Sequence, residues 1–393
     1  MKVLINVSTP EDYRFFSRMN RFFKESSWEI DFLANNIVMW LYLKAKGLNV
    51  YIVKKGRGVS SNQDSFSVLT GRLTQKQNDQ CYGSVIDFLN VRYELRKWDC
   101  FVIPSGRLIS QVALRDFAVS KGVKTLFVGY ANVTGRTFVD PCGTDMQSML
   151  YSNLDCLDAL EVDAKEYAYW RQEYLTSKIK KHVVGQARKA GLAIMAKKLI
   201  QIFSGYAEKI LGLISENNFG FKELKNVKPY DLPEDVFKFD SEYIFFPMQV
   251  STDAQIILNY DGGSVIEALH SAIAIAAEAG VELVVKSHPA EIDYNTLSEL
   301  SALHKEQGFI LSSANTFKLI GNAKRVVTVN STVGLEAKIV GTPVTFLGNS
   351  MYEGFDDKRL VAYLMRYLVP IEYFSDEEVP AELVEAFFDR ALG

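Results

Sequence analysis

Short apolar, β-branched runs recur along the chain, each followed by a longer stretch whose apolar positions fall at helical spacing. Val3–Val7, Val50–Val53, Asp99–Pro104 and Thr125–Val128 form one series of such runs, with the last predicted to break at Gly129-Tyr130. Tyr243–Pro247, Glu282–Lys286, Phe309–Leu311, Val326–Val329 and Val344–Leu347 form a second. Runs without polar alternation are expected where a strand is buried on both faces, as in a parallel sheet covered by helices. The intervening stretches Phe32–Lys46, Val265–Gly280, Ser313–Ile320 and Arg359–Leu368 are predicted helices. Strand alternating with helix predicts Rossmann-like α/β domains. Gly56–Asn78 and Thr134–Ser148 read as loops.

With 393 residues, 48% hydrophobic and 23% charged, the chain has room for two such domains. We expect an N-terminal domain over 1–235 with a helical segment at 163–217. A second domain over 236–370 follows, and 371–393 form a helix packing back towards the first. Asn218–Glu242, with Pro229 and Pro233, is the expected linker. A net charge of -3 gives no electrostatic case for a nucleic-acid partner. No apolar run approaches the roughly 20 residues of a membrane span. The segment MKVLINVSTP reads as a first strand rather than a signal peptide. Cys81, Cys100, Cys142 and Cys156 lack CxxC spacing and predict reduced thiols in a cytoplasmic protein. His182, His270, His288 and His304 suggest no metal site. Within 163–217, Lys178, Lys180, Lys181, Arg188, Lys189, Lys197 and Lys198 interleave with Leu192, Ile194, Leu199, Ile200, Ile202 and Phe203. Such a pattern fits either contact with anionic headgroups at the inner membrane or a helical hairpin with solvated lysines.

The chemistry gathers in the second series of strands. Arg325–Gly348 reads as strand, small polar turn (Asn330-Ser331-Thr332), helix and strand. A helix N-terminus at the carboxyl end of a parallel strand favours anions. Ser331 and Thr332 stand where a phosphate would be cradled, and Glu336 one turn on could accept from ribose hydroxyls. Equally, Ser331 or Thr332 could simply cap the helix, with Glu336 in solvent. Gln249 and Asp253 follow the strand YIFFP, and Lys286 and His288-Pro289 close the strand ELVVK. Around one cleft, these groups could act on a sugar nucleotide. His288 and Lys286 would assist a departing phosphate, and Asp253 would face the sugar as base or nucleophile. Alternatively, His288 could merely end a strand and Asp253 merely cap a helix.

The motifs PMQVSTDAQI, VVKSHP and VVTVNSTVGLEAKIVGTPVTFLGNSMYEG, in this order, resemble the capsule polysaccharide biosynthesis family of bacterial β-Kdo transferases. The resemblance covers about Tyr243–Phe355. A weaker likeness covers Asp99–Ser148, where Val128 precedes Gly129-Tyr130 and many family members have an acidic residue. It implies a GT-B fold, two Rossmann-like domains facing across a cleft. It also implies transfer of Kdo from CMP-β-Kdo to a glycan or glycolipid acceptor, with retention, without a metal or other cofactor. On it, Asp253 is the nucleophile and His288 the catalytic partner at the leaving phosphate. Gln249, Lys286, Asn330, Ser331, Thr332 and Glu336 bind the CMP-sugar, and Tyr130 and Arg136 are acceptor-side candidates. Three other readings stand beside it: an inverting, sialyltransferase-like CMP-sugar transferase, a non-catalytic assembly or lipid-binding subunit, and a sugar-nucleotide epimerase.

Overall fold

In a computed structural model, residues 1–61, 65–131, 133–180, 190–216 and 230–392 are described. The chain divides into two units. The first comprises Met1–Asn153, Lys197–Phe219 and Arg366–Gly393, and the second Leu154–Ala196 and Gly220–Met365.

The first unit holds six strands: β1 (Lys2–Val7), β2 (Glu29–Ala34), β3 (Val50–Ile52), β4 (Cys100–Pro104), β5 (Lys124–Tyr130) and β6 (Thr137–Asp140). Their order is β3-β2-β1-β4-β5-β6, parallel except for the antiparallel edge strand β6. Alternate side chains of β1 enter opposite cores. Val3, Ile5 and Val7 pack with Phe15, Phe16, Phe387 and Phe388, and Leu4 packs with Phe101, Val85 and Phe117. Both faces are therefore buried, which explains the unbroken apolar runs. Phe387 and Phe388 lie on the C-terminal helix Ala381–Leu392, which covers one face of this sheet.

The second unit is a five-stranded, all-parallel sheet of order β11-β10-β7-β8-β9. Its strands are β7 (Tyr243–Pro247), β8 (Glu282–Lys286), β9 (Ile310–Leu311), β10 (Arg325–Thr328) and β11 (Val344–Phe346). Ile244 and Phe246 face Leu269 and Ala272 on one side; Tyr243 and Phe245 face Leu319 and Ile320 on the other. The mixed α/β class with parallel sheets is thus present in both units. Each sheet runs outward from a central strand and then restarts on that strand's other side. The restart makes a crevice at the carboxyl ends of β1 and β4 in one unit, and of β7 and β10 in the other.

Several local expectations change. Phe32 and Leu33 belong to β2, and the helix is Ile37–Ala45, started by Asn36, whose side chain accepts from the Met39 N–H at 2.9 Å. The apolar spacing from Phe32 onwards joined the end of a buried strand to a helix across that cap. β5 does not break at Gly129-Tyr130; both residues pair with β6, which lies inside the predicted loop Thr134–Ser148. The predicted loop Gly56–Asn78 overlaps a helix, Gln75–Arg96. At Gly83 of that helix a Cβ would lie 2.6 Å from the Val59 nitrogen, so glycine is needed where the 57–59 backbone crosses. The helix expected over Arg359–Leu368 is present, as an α-helix over Asp357–Ala362 that widens into a π-helix over Tyr363–Tyr367.

The segment 163–217, expected to belong whole to the first domain, is divided. Ala164–Lys180 is a helix of the second unit, and Ala190–Ile210 is a helix that runs into the first. Lys181, His182, Arg188, Lys189 and residues 218–229 of the expected linker lie outside the described residues. Among the described residues, no helix is long and apolar enough to cross a membrane.

Candidate functional site

At the restart point of the second sheet the backbone is locked by two amides. Gln249, just past β7, donates through Nε2 to Asn330 Oδ1 at 3.1 Å and accepts the Asn330 N–H at 3.2 Å. Asn330 Nδ2 donates in turn to the Gln255 carbonyl at 2.9 Å. Both side chains are buried, and neither lines the cavity beside them. Gln249 and Asn330, expected to touch a CMP-sugar, set the path of the chain into the turn.

That turn delivers Ser331 as the cap of the helix Thr332–Val340, with its Oγ accepting the Val333 N–H at 3.2 Å. Cap and cradle are therefore not exclusive. Ser331 Oγ takes one of the free donors, and among the described residues the Thr332 N–H and hydroxyl have no protein partner. Gly334 lets this helix sit against β10 and β11, since a Cβ there would run into the Phe346 ring and meet Thr328 Cγ2 at 3.2 Å.

Ser331 and Thr332 open onto a cavity of about 320 Å³ that lies within the second unit. Lys286, Ser287, His288, Asn315, Thr316, Phe317, Glu336 and Lys178 share its lining. Lys286 is anchored at its floor, where Nζ donates to the Ala314 carbonyl at 2.7 Å and Thr316 Oγ1 at 3.1 Å. Burial lowers the pKa of Lys286, and Glu234 opposes the shift.

At the exposed rim, His288 Nδ1 accepts the Ala290 N–H at 3.1 Å. In the neutral ring the proton is then on Nε2, which is left as a donor. Desolvation by the surrounding protein lowers the His288 pKa, while Asp253 and Glu291 pull it up. Glu291 also holds the rim together, accepting the Ser251 N–H on Oε2 at 2.6 Å and the Ile292 and Asp293 N–H groups on Oε1.

Asp253 caps the short helix Ala254–Asn259, with Oδ1 accepting the Gln255 N–H at 2.9 Å. It is half-buried and within electrostatic reach of His288, and it does not line the cavity.

Glu336 faces the cavity from one turn into the helix. Its Oε1 accepts from Tyr174 Oη and Lys178 Nζ, each at 3.4 Å. Burial raises its pKa, and Lys178 and Tyr174 oppose that shift. Lys178, which the sequence offered as a candidate for headgroup contact, is thus committed to the site. Its helix is pinned by Arg171, which donates to the Ile339 and Val340 carbonyls at 2.6 and 2.8 Å.

Lys286, His288, Ser331, Thr332 and Glu336 are brought together; Gln249 and Asn330 stand behind them and Asp253 beside them. Tyr130 and Arg136 lie in the first unit, flanking the turn between β5 and β6. Tyr130 is about half exposed and stacks on Phe374 with ring centroids 5.3 Å apart.

Sequence reasoning missed Tyr174, Asn315, Thr316 and Glu291. Asn315 was legible as a cap, since it accepts the Phe317 and Lys318 N–H groups at the start of Thr316–Asn322. Among the described residues, no cluster of three His, Cys, Asp or Glu side chains could hold a metal ion.

The corresponding crevice of the first unit is built differently. There Glu216 accepts the Ile109 and Ser110 N–H groups at 2.9 and 3.2 Å, at the start of the helix Ile109–Lys121. Glu208 accepts the Ile37 N–H at 3.0 Å, at the start of Ile37–Ala45. Both carboxylates are buried.

Residues 177–359, which include all of this cavity's lining, match the family model described as Capsule polysaccharide biosynthesis protein. That stretch is similar to capsule polysaccharide biosynthesis proteins. Two curated relatives share parts of the chain. Protein FixF of Sinorhizobium fredii is 34% identical over 113 residues, 28% of this chain and 27% of that protein. The capsule polysaccharide export protein KpsS of Escherichia coli is 29% identical over 131 residues, 31% of this chain and 34% of that protein. The matches thus span about a third or less of either relative. Among solved structures, the Thermosulfurimonas dismutans KpsC β-Kdo 2,7 transferase superposes with a TM-score of 0.44 at 15% identity, covering 99% of this chain and 98% of that one.

Proposed function

We propose that the chain is a glycosyltransferase that moves Kdo from CMP-β-Kdo to a glycan or glycolipid acceptor, with retention of configuration, in surface polysaccharide synthesis. The observation that carries the reading is the open N-terminus of Thr332–Val340, facing Lys286 and the Nε2 side of His288 in one cavity at the sheet's restart point. Backbone N–H groups, a helix dipole, one ammonium and one imidazole N–H suit a single phosphate ester. The family match adds the biosynthetic setting.

In the first step a carboxylate oxygen of Asp253 attacks the anomeric carbon of Kdo, the bond from that carbon to the phosphate oxygen breaks, and CMP leaves. Thr332 N–H, Lys286 and His288 Nε2–H stabilise the charge arriving on the phosphate. In the second step an acceptor hydroxyl attacks the same carbon and passes its proton to solvent, while the bond from that carbon to Asp253 breaks and frees Asp253 as carboxylate. Two inversions give retention. Glu336 accepts from the ribose hydroxyls. No metal or other cofactor is assigned a role, because the cations and the helix terminus meet the leaving phosphate. Tyr130, with its stack on Phe374, and Arg136 are assigned to the acceptor side. The exposed Ile200, Phe203 and Ile210 of Ala190–Ile210 would support peripheral contact with the inner membrane from the cytoplasm.

A second reading has its own observation. Asp253 Oδ1 is already engaged by the Gln255 N–H, an anchorage that also suits a general base in a single-displacement, inverting transfer. Intact-protein mass spectrometry after incubation with CMP-β-Kdo and no acceptor separates the two. The retaining reading expects an adduct of one Kdo residue mapped to Asp253. CMP release without an adduct, together with an inverted product, would establish the inverting route. Neither adduct nor release would favour a non-catalytic assembly subunit.

A further inference from the structure

The helix Ala164–Lys180 brings Lys178 into the lining of the cavity and Tyr174 onto Glu336, and no reading above assigns either side chain a task. Tyr174 Oη and Lys178 Nζ both contact Glu336 Oε1, while Oε2 has no partner among the described residues. The ion pair is largely enclosed, with Lys178 and Glu336 exposed by only 22% and 13%. Lys178 is also held in place by packing, its Nζ lying 5.1 Å from the Tyr174 ring centroid and 5.6 Å from that of Phe317. The arrangement clamps one carboxylate oxygen and leaves the other towards the cavity.

We propose that Lys178 is the positioning residue that keeps Glu336 ionised and oriented, so that Oε2 remains a full acceptor for the paired hydroxyls of a nucleoside ribose. The inference rests on the CMP-sugar reading and assigns this helix to the donor side of the site. A protonated carboxyl would present one donor and a weaker acceptor, a poor match for two hydroxyl donors.

The groups around Glu336 make Lys178 the decisive one. From the same helix, Tyr174 supplies a neutral hydroxyl, and Arg171 is spent on the Ile339 and Val340 carbonyls. Across the cavity, Lys286 donates to the Ala314 carbonyl and Thr316 Oγ1, which leaves one ammonium donor for the phosphate, and desolvation lowers the His288 pKa. On Glu336's own helix, Lys338 reaches the Phe355 carbonyl at 2.6 Å, and Lys318 on the neighbouring helix is exposed. Burial pushes Glu336 towards the protonated form, and the Lys178 ammonium, paired with it at 3.4 Å, opposes that push.

The test compares wild type, Lys178→Met, Lys178→Arg and Glu336→Gln, full length, in two measurements. The first follows the Glu336 side-chain carboxyl through a pH titration by ¹³C NMR, its resonance assigned by its loss in Glu336→Gln. Lys178→Met should shift the titration upwards and Lys178→Arg should not. The second measures CMP affinity against pH by calorimetry. Lys178→Met should weaken CMP at least about tenfold at pH 6, the scale of one hydrogen bond to a charged group, with recovery as pH rises. Lys178→Arg should bind nearly as wild type does. An unshifted carboxyl titration in Lys178→Met, or a loss of affinity equal at every pH, would overturn the proposal. If wild type itself binds no CMP, the donor reading fails instead, and the NMR titration still decides the Lys178–Glu336 coupling.

Discussion

Counted outward from their central strands, the two sheets share one order: β3-β2-β1-β4-β5 in the first unit and β9-β8-β7-β10-β11 in the second. The helices Ile109–Lys121 and Thr332–Val340 therefore occupy equivalent places, each following the strand that restarts the sheet. In the first unit the N-terminus of that helix is filled by Glu216, a buried carboxylate of the chain itself. In the second it is capped by one hydroxyl and opens onto a cavity with Lys286, His288 and Lys178. A helix N-terminus attracts negative charge in both cases. What differs is whether the chain supplies that charge or leaves room for a ligand to do so. The equivalent Rossmann-like crevice has become structural in one unit and stays free to bind in the other.

The largest effects are expected at the open crevice. Asp253→Asn should abolish Kdo transfer, by at least about 10³-fold, while leaving CMP affinity near wild type in calorimetry. Loss of CMP binding in that variant would instead assign Asp253 to the cap alone. His288→Ala should lower turnover by about 10²- to 10⁴-fold. An unchanged rate would remove His288 from the leaving phosphate.

Next in size is the helix seat. Gly334→Ala puts a methyl group against the Phe346 ring and should cost about 1–3 kcal/mol of stability, with CMP affinity falling as the helix is pushed from its place. Thermal melts and calorimetry on the same sample check both. At the filled crevice, Glu216→Ala leaves the Ile109 and Ser110 N–H groups unpaired. It should cost about 1–3 kcal/mol, a few degrees in the melting midpoint, without changing CMP affinity.

The smallest effect carries a sign. Burial raises the Glu216 pKa against the pull of the amide donors, so the folded state holds its proton more tightly than the unfolded chain. This group's contribution is then most favourable below about pH 4.3, the unfolded carboxylate value, and declines as pH rises through the higher folded-state value. In melts from pH 4.5 to 8, wild type should therefore lose ground to Glu216→Gln as pH rises. The opposite trend would mean that the helix N-terminus outweighs burial there.

Much of this contrast was legible in the sequence, because the strands are short and buried on both faces. YIFFP, ELVVK and RVVT could be read from composition alone, and the turn residues after them fixed where side chains would gather. Ser331, Thr332, His288 and Lys286 reached one cavity for that reason. Less legible were features set by contacts distant in sequence. That Gln249 and Asn330 bond to each other was hidden, because nothing local links side chains 81 residues apart. Lys178 read as one of a run of surface lysines, since its partner Glu336 lies 158 residues away. Glu208 and Glu216 carried no signal at all, as their partners are backbone N–H groups of helices that start far upstream. The helix Gln75–Arg96 was hidden by buried polar residues such as Asn78 and Ser84, which blur an apolar stripe.

The most direct test of the contrast is hydrogen–deuterium exchange of the full chain with and without CMP. The account predicts slowed exchange at 286–290 and 331–336, with none at 37–39 or 109–111. Protection at 37–39 or 109–111, with 331–336 unchanged, would contradict it, because the nucleotide would then be displacing the carboxylates of the first unit.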